Sequence, residues 1–188
     1  MKRLLACAAV LALTTLTLSA QSMEHKAKKP MPSPPATASA TVAGKSITIH
    51  YNSPRLRGRE GHVYTSDGLI KTAHGSQYPI WRGGANAAPT LITDGNLKIG
   101  DLSVPAGTYT LFIDISNPDK WVLIVSKKTG EWGLAYDPSA DLGRVPMHMS
   151  APSHSVEDLV YTIHPMGHGG RITLSWEHHS ASVHFSVE

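Results

Sequence analysis

From Ala36 onward, the apolar residues of this chain recur at every second position. A period of two is that of a strand with one buried face, and it excludes an amphipathic helix, whose apolar stripe repeats every 3.6 residues. Ala36, Ala38, Ala40 and Val42 alternate with Thr37, Ser39 and Thr41. After a turn at Gly44, Ile47, Ile49 and Tyr51 alternate with Ser46, Thr48 and His50, which predicts a hairpin with one face turned inward. Leu97 and Ile99 form a further short strand, closed by Gly100-Asp101. Segments 108–115 and 121–126 are apolar on both faces and flank Ser116-Asn117-Pro118-Asp119-Lys120, a strong turn signal. Strands of that kind belong in the interior of a sheet. Ile172, Leu174 and Trp176 point one way, His178-His179-Ser180 reads as the polar turn, and Val183, Phe185 and Val187 return; 159–163 precedes them as another strand.

No window of about a dozen residues has helical periodicity, and 137–142 reads as one short helical turn at most. Many short strands punctuated by Gly, Pro and Asn predict an all-β fold, an antiparallel β-sandwich of jelly-roll-like or Ig-like type. It carries little helix and one long irregular loop, 58–78, of the length that functional loops reach. There is no internal repeat.

The ends of the chain bound its compartment. Lys2 and Arg3 precede an apolar run from Leu4 to Leu18, and Ser19-Ala20 offers small residues for cleavage, so residues 1–20 read as a signal peptide and the protein as exported, periplasmic or extracellular. The run is shorter than the roughly 20 residues of a membrane helix, and no second such run follows, so no transmembrane helix is expected in the mature chain. Cys7 imitates a lipoprotein box, but only three apolar residues separate it from Arg3, too few for a working apolar region, which argues against lipidation. With Cys7 removed, the mature chain has no thiol for disulfides, nucleophilic catalysis or metal binding. Loss of Lys2 and Arg3 takes the 17 basic residues to 15, against 14 acidic ones. That near balance, with no basic stripe interleaved with aromatics, excludes nucleic acid as an expected partner. Residues 21–35 are polar, lysine-bearing and proline-rich, a leader rather than part of a core, and 36–188 is expected to form a single domain.

The candidate site centres on Trp81-Arg82-Gly83-Gly84-Ala85-Asn86. An indole stacks on a sugar or aromatic ring while arginine and asparagine bond its polar edge. The same residues also suit a core tryptophan, an arginine pinning its loop through carbonyls, and a turn asparagine. Trp132 and Tyr136 are open to the same two readings. Arg57 and Arg59, with Arg55, lie at alternate positions and on an extended segment would share a face suited to a carboxylate or phosphate; the alternative is a solvated loop or pairing to a structural acid. Histidines form a second feature: five fall between His164 and His184, and four of the five methionines after the initiator lie within two residues of a histidine. Thioether with imidazole suits copper, and imidazole alone suits copper or zinc. His164, Met166, His168, His178 and His179 are therefore the candidate metal ligands, although no established metal motif is present. Hydrolysis has thinner support. No Gly-x-Ser-x-Gly elbow and no phosphate-cradling glycine loop occurs. A hydrolase would have to place its cleft beside residues 58–82.

These residues carry a family resemblance. Ser33-Pro34-Pro35-Ala36, Arg57-Gly58-Arg59, Trp81-Arg82-Gly83-Gly84-Ala85-Asn86, Val104-Pro105-Ala106-Gly107-Thr108-Tyr109-Thr110-Leu111, Trp132-Gly133 and Trp176-Glu177 run in order over nearly the whole mature chain. In this ordered set the chain resembles the bacterial secreted family called domain of unknown function 2911. The resemblance implies an exported β-rich domain and brings no established activity, so no catalytic residue is carried over and no cofactor is required. It singles out Arg57, Arg59, Trp81, Arg82, Asn86, Tyr109 and Trp132 as positions of the shared pattern, which does not include the histidine-rich C-terminal hairpins. The expected function is thus a non-catalytic β-sandwich binding a small molecule, glycan or cell-envelope component near the Trp81–Asn86 loop, with periplasmic metal binding and hydrolysis as the alternatives.

Overall fold

The computed structural model describes residues 31–65, 68 and 80–188. The expected signal peptide, most of the leader and most of the irregular loop lie outside the described residues. Strand accounts for 57% of the structure and helix for 2%, and two antiparallel sheets pack as a sandwich rather than closing into a barrel.

Among the described residues, thirteen strands follow in order: β1 (Pro35–Val42), β2 (Lys45–Asn52), β3 (Ile80–Trp81), β4 (Thr90–Thr93), β5 (Leu97–Ile99), β6 (Leu102–Val104), β7 (Gly107–Asp114), β8 (Val122–Ser126), β9 (Asp141–Pro146), β10 (His148–Ser150), β11 (Val156–Met166), β12 (Gly169–Glu177) and β13 (His179–Val187). The first sheet runs β1-β2-β4-β7-β8-β9, with β3 beside β7; the second runs β11-β12-β13-β5-β6, with β10 beside β13. The first hairpin is the one its alternation predicts. Its two-residue turn, Ala43-Gly44, is left-handed at both positions (φ 48° and 77°), the geometry that matches strand twist and that glycine adopts without strain.

The inward residues of both sheets merge into one apolar core, with Ile47, Ile49, Leu91, Leu111 and Leu123 from the first and Ile99, Leu159, Leu174 and Val183 from the second. Across it, Tyr51 Oη accepts from the backbone N–H of Tyr161 at 3.3 Å. The doubly apolar character of β7 and β8 has a local cause. Phe112 and Ile124 point away from the main core, yet both are buried, in a second small cluster with Ile80 and Ala88 against which Tyr136 packs. The cover comes from the connection between β8 and β9, residues 127–140, referred to below as the flap. Each large side chain so covered contributes about 1.5–3 kcal/mol of burial. The flap ends in a single 3-10 turn, Pro138–Ala140, capped by Asp137, whose carboxylate accepts from Ser139 N–H at 3.0 Å.

The last hairpin is tighter than its sequence suggests. Trp176 pairs with His179, so only Glu177 and His178 form the connection, and His179 and Ser180 belong to β13 instead of the turn. Glu177 takes the left-handed position (φ 55°) where glycine is usual. The consequence is that His179 acquires an inward direction that a turn residue would not have.

Candidate functional site

The pleat of β3 divides the central motif. Ile80 pairs with Asp114 and Trp81 with Ile113, so successive side chains pass to opposite faces. Trp81 goes inward and is 3% exposed. It stacks on Trp176 (centroids 6.1 Å, 20°) and meets Tyr64 and Trp121 edge-on. The indole expected beside Arg82 and Asn86 is therefore a core residue, and it does not line a surface site.

Arg82 lies on the opposite side, against the flap. The chain leaves the sheet after β3 and returns at β4, and residues 82–89 form an excursion pinned by hydrogen bonds on both sides. Tyr161 Oη donates to the Gly83 carbonyl at 2.9 Å, and Ala85 N–H donates to Asn52 O at 3.2 Å. Gly133 N–H donates to Asn86 O at 3.2 Å, and Arg82 Nε donates to Gly84 O at 3.3 Å. Gly83 is required twice over: its φ is +62°, and a Cβ there would run into Tyr161 Oη. Asn86 is left-handed (φ 59°), as asparagine tolerates, and its side chain is exposed.

The flap is laced to this excursion. Ala87 and Trp132 form a β-bridge, and Ala88 N–H donates to Glu131 O at 3.3 Å. Gly133 has no room for a side chain, because a Cβ would collide with Arg82 Cδ and approach Asn86 O to 2.7 Å. On the outer rim, Trp132 is 58% exposed and Leu134 is exposed beside it in sequence. Three of the residues singled out by sequence thus converge here, Arg82, Asn86 and Trp132, while Tyr136 packs beside Ile80 and Ala88.

Arg82 is electrostatically incomplete. Burial lowers its guanidinium pKa, and no carboxylate among the described residues offsets the loss of water. Its Nη1 is buried without a hydrogen-bond partner among the described residues. At the other end of the flap, Tyr136 Oη donates to Asp141 Oδ2 at 2.8 Å and accepts from Arg144 Nη2 at 2.5 Å; Arg144 also reaches Asp114 at 3.5 Å. Burial, then the Asp141 hydrogen bond, push the Tyr136 phenol up to about 12. Asp141 Oδ1 and Thr110 Oγ1 are likewise buried without partners. Sequence reasoning missed Asp114, Asp141 and Arg144, whose only signal was charge or polarity on outward positions of β7 and β9.

Arg57 and Arg59 stand elsewhere. Arg59 donates to Leu56 O at 3.0 Å and to Arg55 O at 2.9 Å, and Arg57 Nη2 reaches Pro32 O at 3.4 Å. Arg55 grips Asp158 through two bonds, at 2.5 and 3.0 Å. Arg55 thus has the structural acid of the second reading, and the guanidinium groups tie segment 55–59 to itself, to residue 32 and to β11.

The candidate metal ligands are also separated. His164, Met166 and His168 lie exposed about the β11–β12 turn, and His178 pairs with Glu60 at 2.9 Å. His179 is inside an aromatic box, its ring 4.4 Å from Tyr64 and stacked on Trp121 at 5.5 Å and 5°. No group of three or more His, Cys, Asp or Glu is placed to hold a metal among the described residues. Nor does any helix of the described residues have the length and apolarity to cross a membrane.

Fold and site together define an all-β sandwich protein with a laced flap over one sheet. The chain belongs to the DUF2911 family, described as proteins of unknown function, whose model matches residues 33–185. No curated protein and no solved structure matches it.

Proposed function

We propose that this is an exported, non-catalytic binding protein. It takes a small molecule or glycan that carries an anionic group, seating the anion on Arg82 and a ring on Trp132. The observation that carries the reading is the buried, unpartnered Nη1 of a half-buried arginine. Removing a cation from water without a counter-charge is costly, and a carboxylate of the ligand beside the guanidinium supplies that counter-charge. Trp132 lies next to the Gly133 that touches Arg82, and its exposed indole offers the flat apolar face on which a sugar or aromatic ring stacks. Asn86, exposed on the same excursion, adds donors and an acceptor for a polar rim. An acidic sugar of the cell envelope has this chemistry.

The test is a calorimetric titration of acidic monosaccharides and envelope glycan fragments, each beside its neutral counterpart. The acid should bind, and its neutral partner should bind at least about tenfold more weakly, as loss of a charge-assisted hydrogen bond implies. Arg82→Lys and Trp132→Ala should each weaken the acid by a similar factor while the circular dichroism spectrum is retained. Equal binding of acid and neutral ligand, or indifference to both substitutions, overturns the reading. Export is tested separately: N-terminal sequencing of protein from the producing cells should begin at Ala20 or Gln21.

A further inference from the structure

We propose that His179 and Met149, with Asp119 beside them, form a copper site at the end of the second sheet. Pro118, Asp119, Met149, Ser150, Ala151 and His179 line a cleft of about 250 Å³. Met149 pairs with Ala181 across β10 and β13, so the two share a face; His179, two residues before Ala181, shares it as well. Met149 and His179 are then diagonal neighbours on one ladder, a relation whose Cα spacing of about 7–8 Å long side chains span. Asp119 enters from the β7–β8 turn.

The imidazole is oriented as a ligand requires. Its Nδ1 is fully buried and faces Glu177 Oε2 at 3.6 Å, an electrostatic contact longer than a hydrogen bond. The side chain as a whole is nevertheless 31% exposed, so the open part of the ring is turned to the cleft. A carboxylate facing Nδ1 favours the tautomer that leaves the Nε2 lone pair free, the arrangement by which second-shell carboxylates set ligating histidines. Glu177 is itself held in place: it is 3% exposed, it is left-handed at a position that prefers glycine, and its Oε1 accepts from Gly61 N–H at 2.5 Å. Strain and burial of this kind concentrate at functional sites. One thioether, one imidazole and one carboxylate form a donor set that suits copper better than zinc, because the thioether is soft.

The experiment is a titration of untagged full mature chain with copper alone, as Cu(I) under reductant and as Cu(II), in competition with a chromogenic chelator. One copper per chain is expected. Met149→Leu keeps the volume and removes the thioether, and His179→Gln removes the imidazole; each should weaken copper by roughly tenfold or more. Glu177→Gln should weaken it by roughly 10–100-fold without removing a ligand. The double substitution His164→Ala/His168→Ala should leave it unchanged. No stoichiometric copper, copper that follows His164 and His168 instead, or binding indifferent to Met149→Leu in the folded protein overturns the proposal.

Discussion

Trp81 and Arg82 are chain neighbours with opposite fates, and a single pleat decides them. The indole is stacked on Trp176 inside the core, so Trp81→Ala leaves a cavity among Tyr64, Trp121 and Trp176. The expected cost is about 3–5 kcal/mol, read as a lower denaturant midpoint at unchanged slope. His179 makes a different prediction. Burial, the largest effect, and neighbouring His178 hold its pKa below the ordinary 6.5, while Glu177 pulls the other way; Tyr64 and Trp121 pack against the ring without charge. A depressed pKa means that the unfolded chain takes up a proton that the folded one refuses. Stability is therefore full above pH 6.5 and declines as pH falls through the folded value. Denaturant midpoints between neutral and mildly acidic pH, measured with a metal chelator present, should fall more steeply for the native sequence than for His179→Gln. Arg82 and Trp81 were both legible as special residues, because tryptophan, arginine and paired glycines rarely cluster in a loop without a role. Their separation was not legible, since it depends on the strand register that β7 imposes on β3.

Among the elements, the flap does most to create the candidate site. It buries the outward side chains of β7 and β8, and it brings Trp132 and Tyr136 to an excursion some fifty residues away in the chain. Gly133 is the point of closest approach. Gly133→Ala would force Arg82 and the Asn86 carbonyl aside, costing about 1–3 kcal/mol as overpacking does. Limited proteolysis should then cut within 127–137 faster than in the native protein, while far-ultraviolet circular dichroism keeps its strand signature. The double apolarity of β7 and β8 was visible in the sequence and correctly placed them within a sheet. Its cause was not visible, because the flap has no periodicity of its own. The final hairpin teaches the same lesson in reverse. A polar His178-His179-Ser180 run looks like a turn, and the left-handed Glu177 moves the turn back so that His179 enters the strand.

At the scale of the whole molecule, both sheets contribute to a single core, so unfolding should be one cooperative transition. Tryptophan fluorescence, dominated by the buried Trp81, Trp121 and Trp176, and circular dichroism should report the same midpoint. Tyr161 joins the layers. It belongs to β11 in the second sheet, its backbone N–H reaches Tyr51 in the first, and its hydroxyl holds the Gly83 carbonyl of the site excursion. Tyr161→Phe keeps the ring and orphans that buried carbonyl. It should lower stability by about 1–3 kcal/mol. If the excursion is the ligand site, it should also weaken anion binding at Arg82 more than its effect on stability accounts for.

Alternation of apolar and polar residues determined, by itself, that this chain makes antiparallel strands with one buried face, because side-chain direction in a strand follows from backbone geometry alone. Turn residues such as Gly44 and Pro118 located its hairpins for the same local reason. Family membership, too, was legible, since it is carried by short ordered motifs. Only the tertiary structure decided which strands distant in the chain are neighbours, as β4 is of β7 and β13 of β5. It alone revealed that Trp81 faces inward while Arg82 meets Gly133 of the flap, that Arg57 and Arg59 are taken up by carbonyls, and that His179 leaves its turn for an aromatic box. Apart from the local bonds of Arg59, these are contacts between residues far apart in the chain. Their geometry arises from sheet register and packing, which no local pattern encodes.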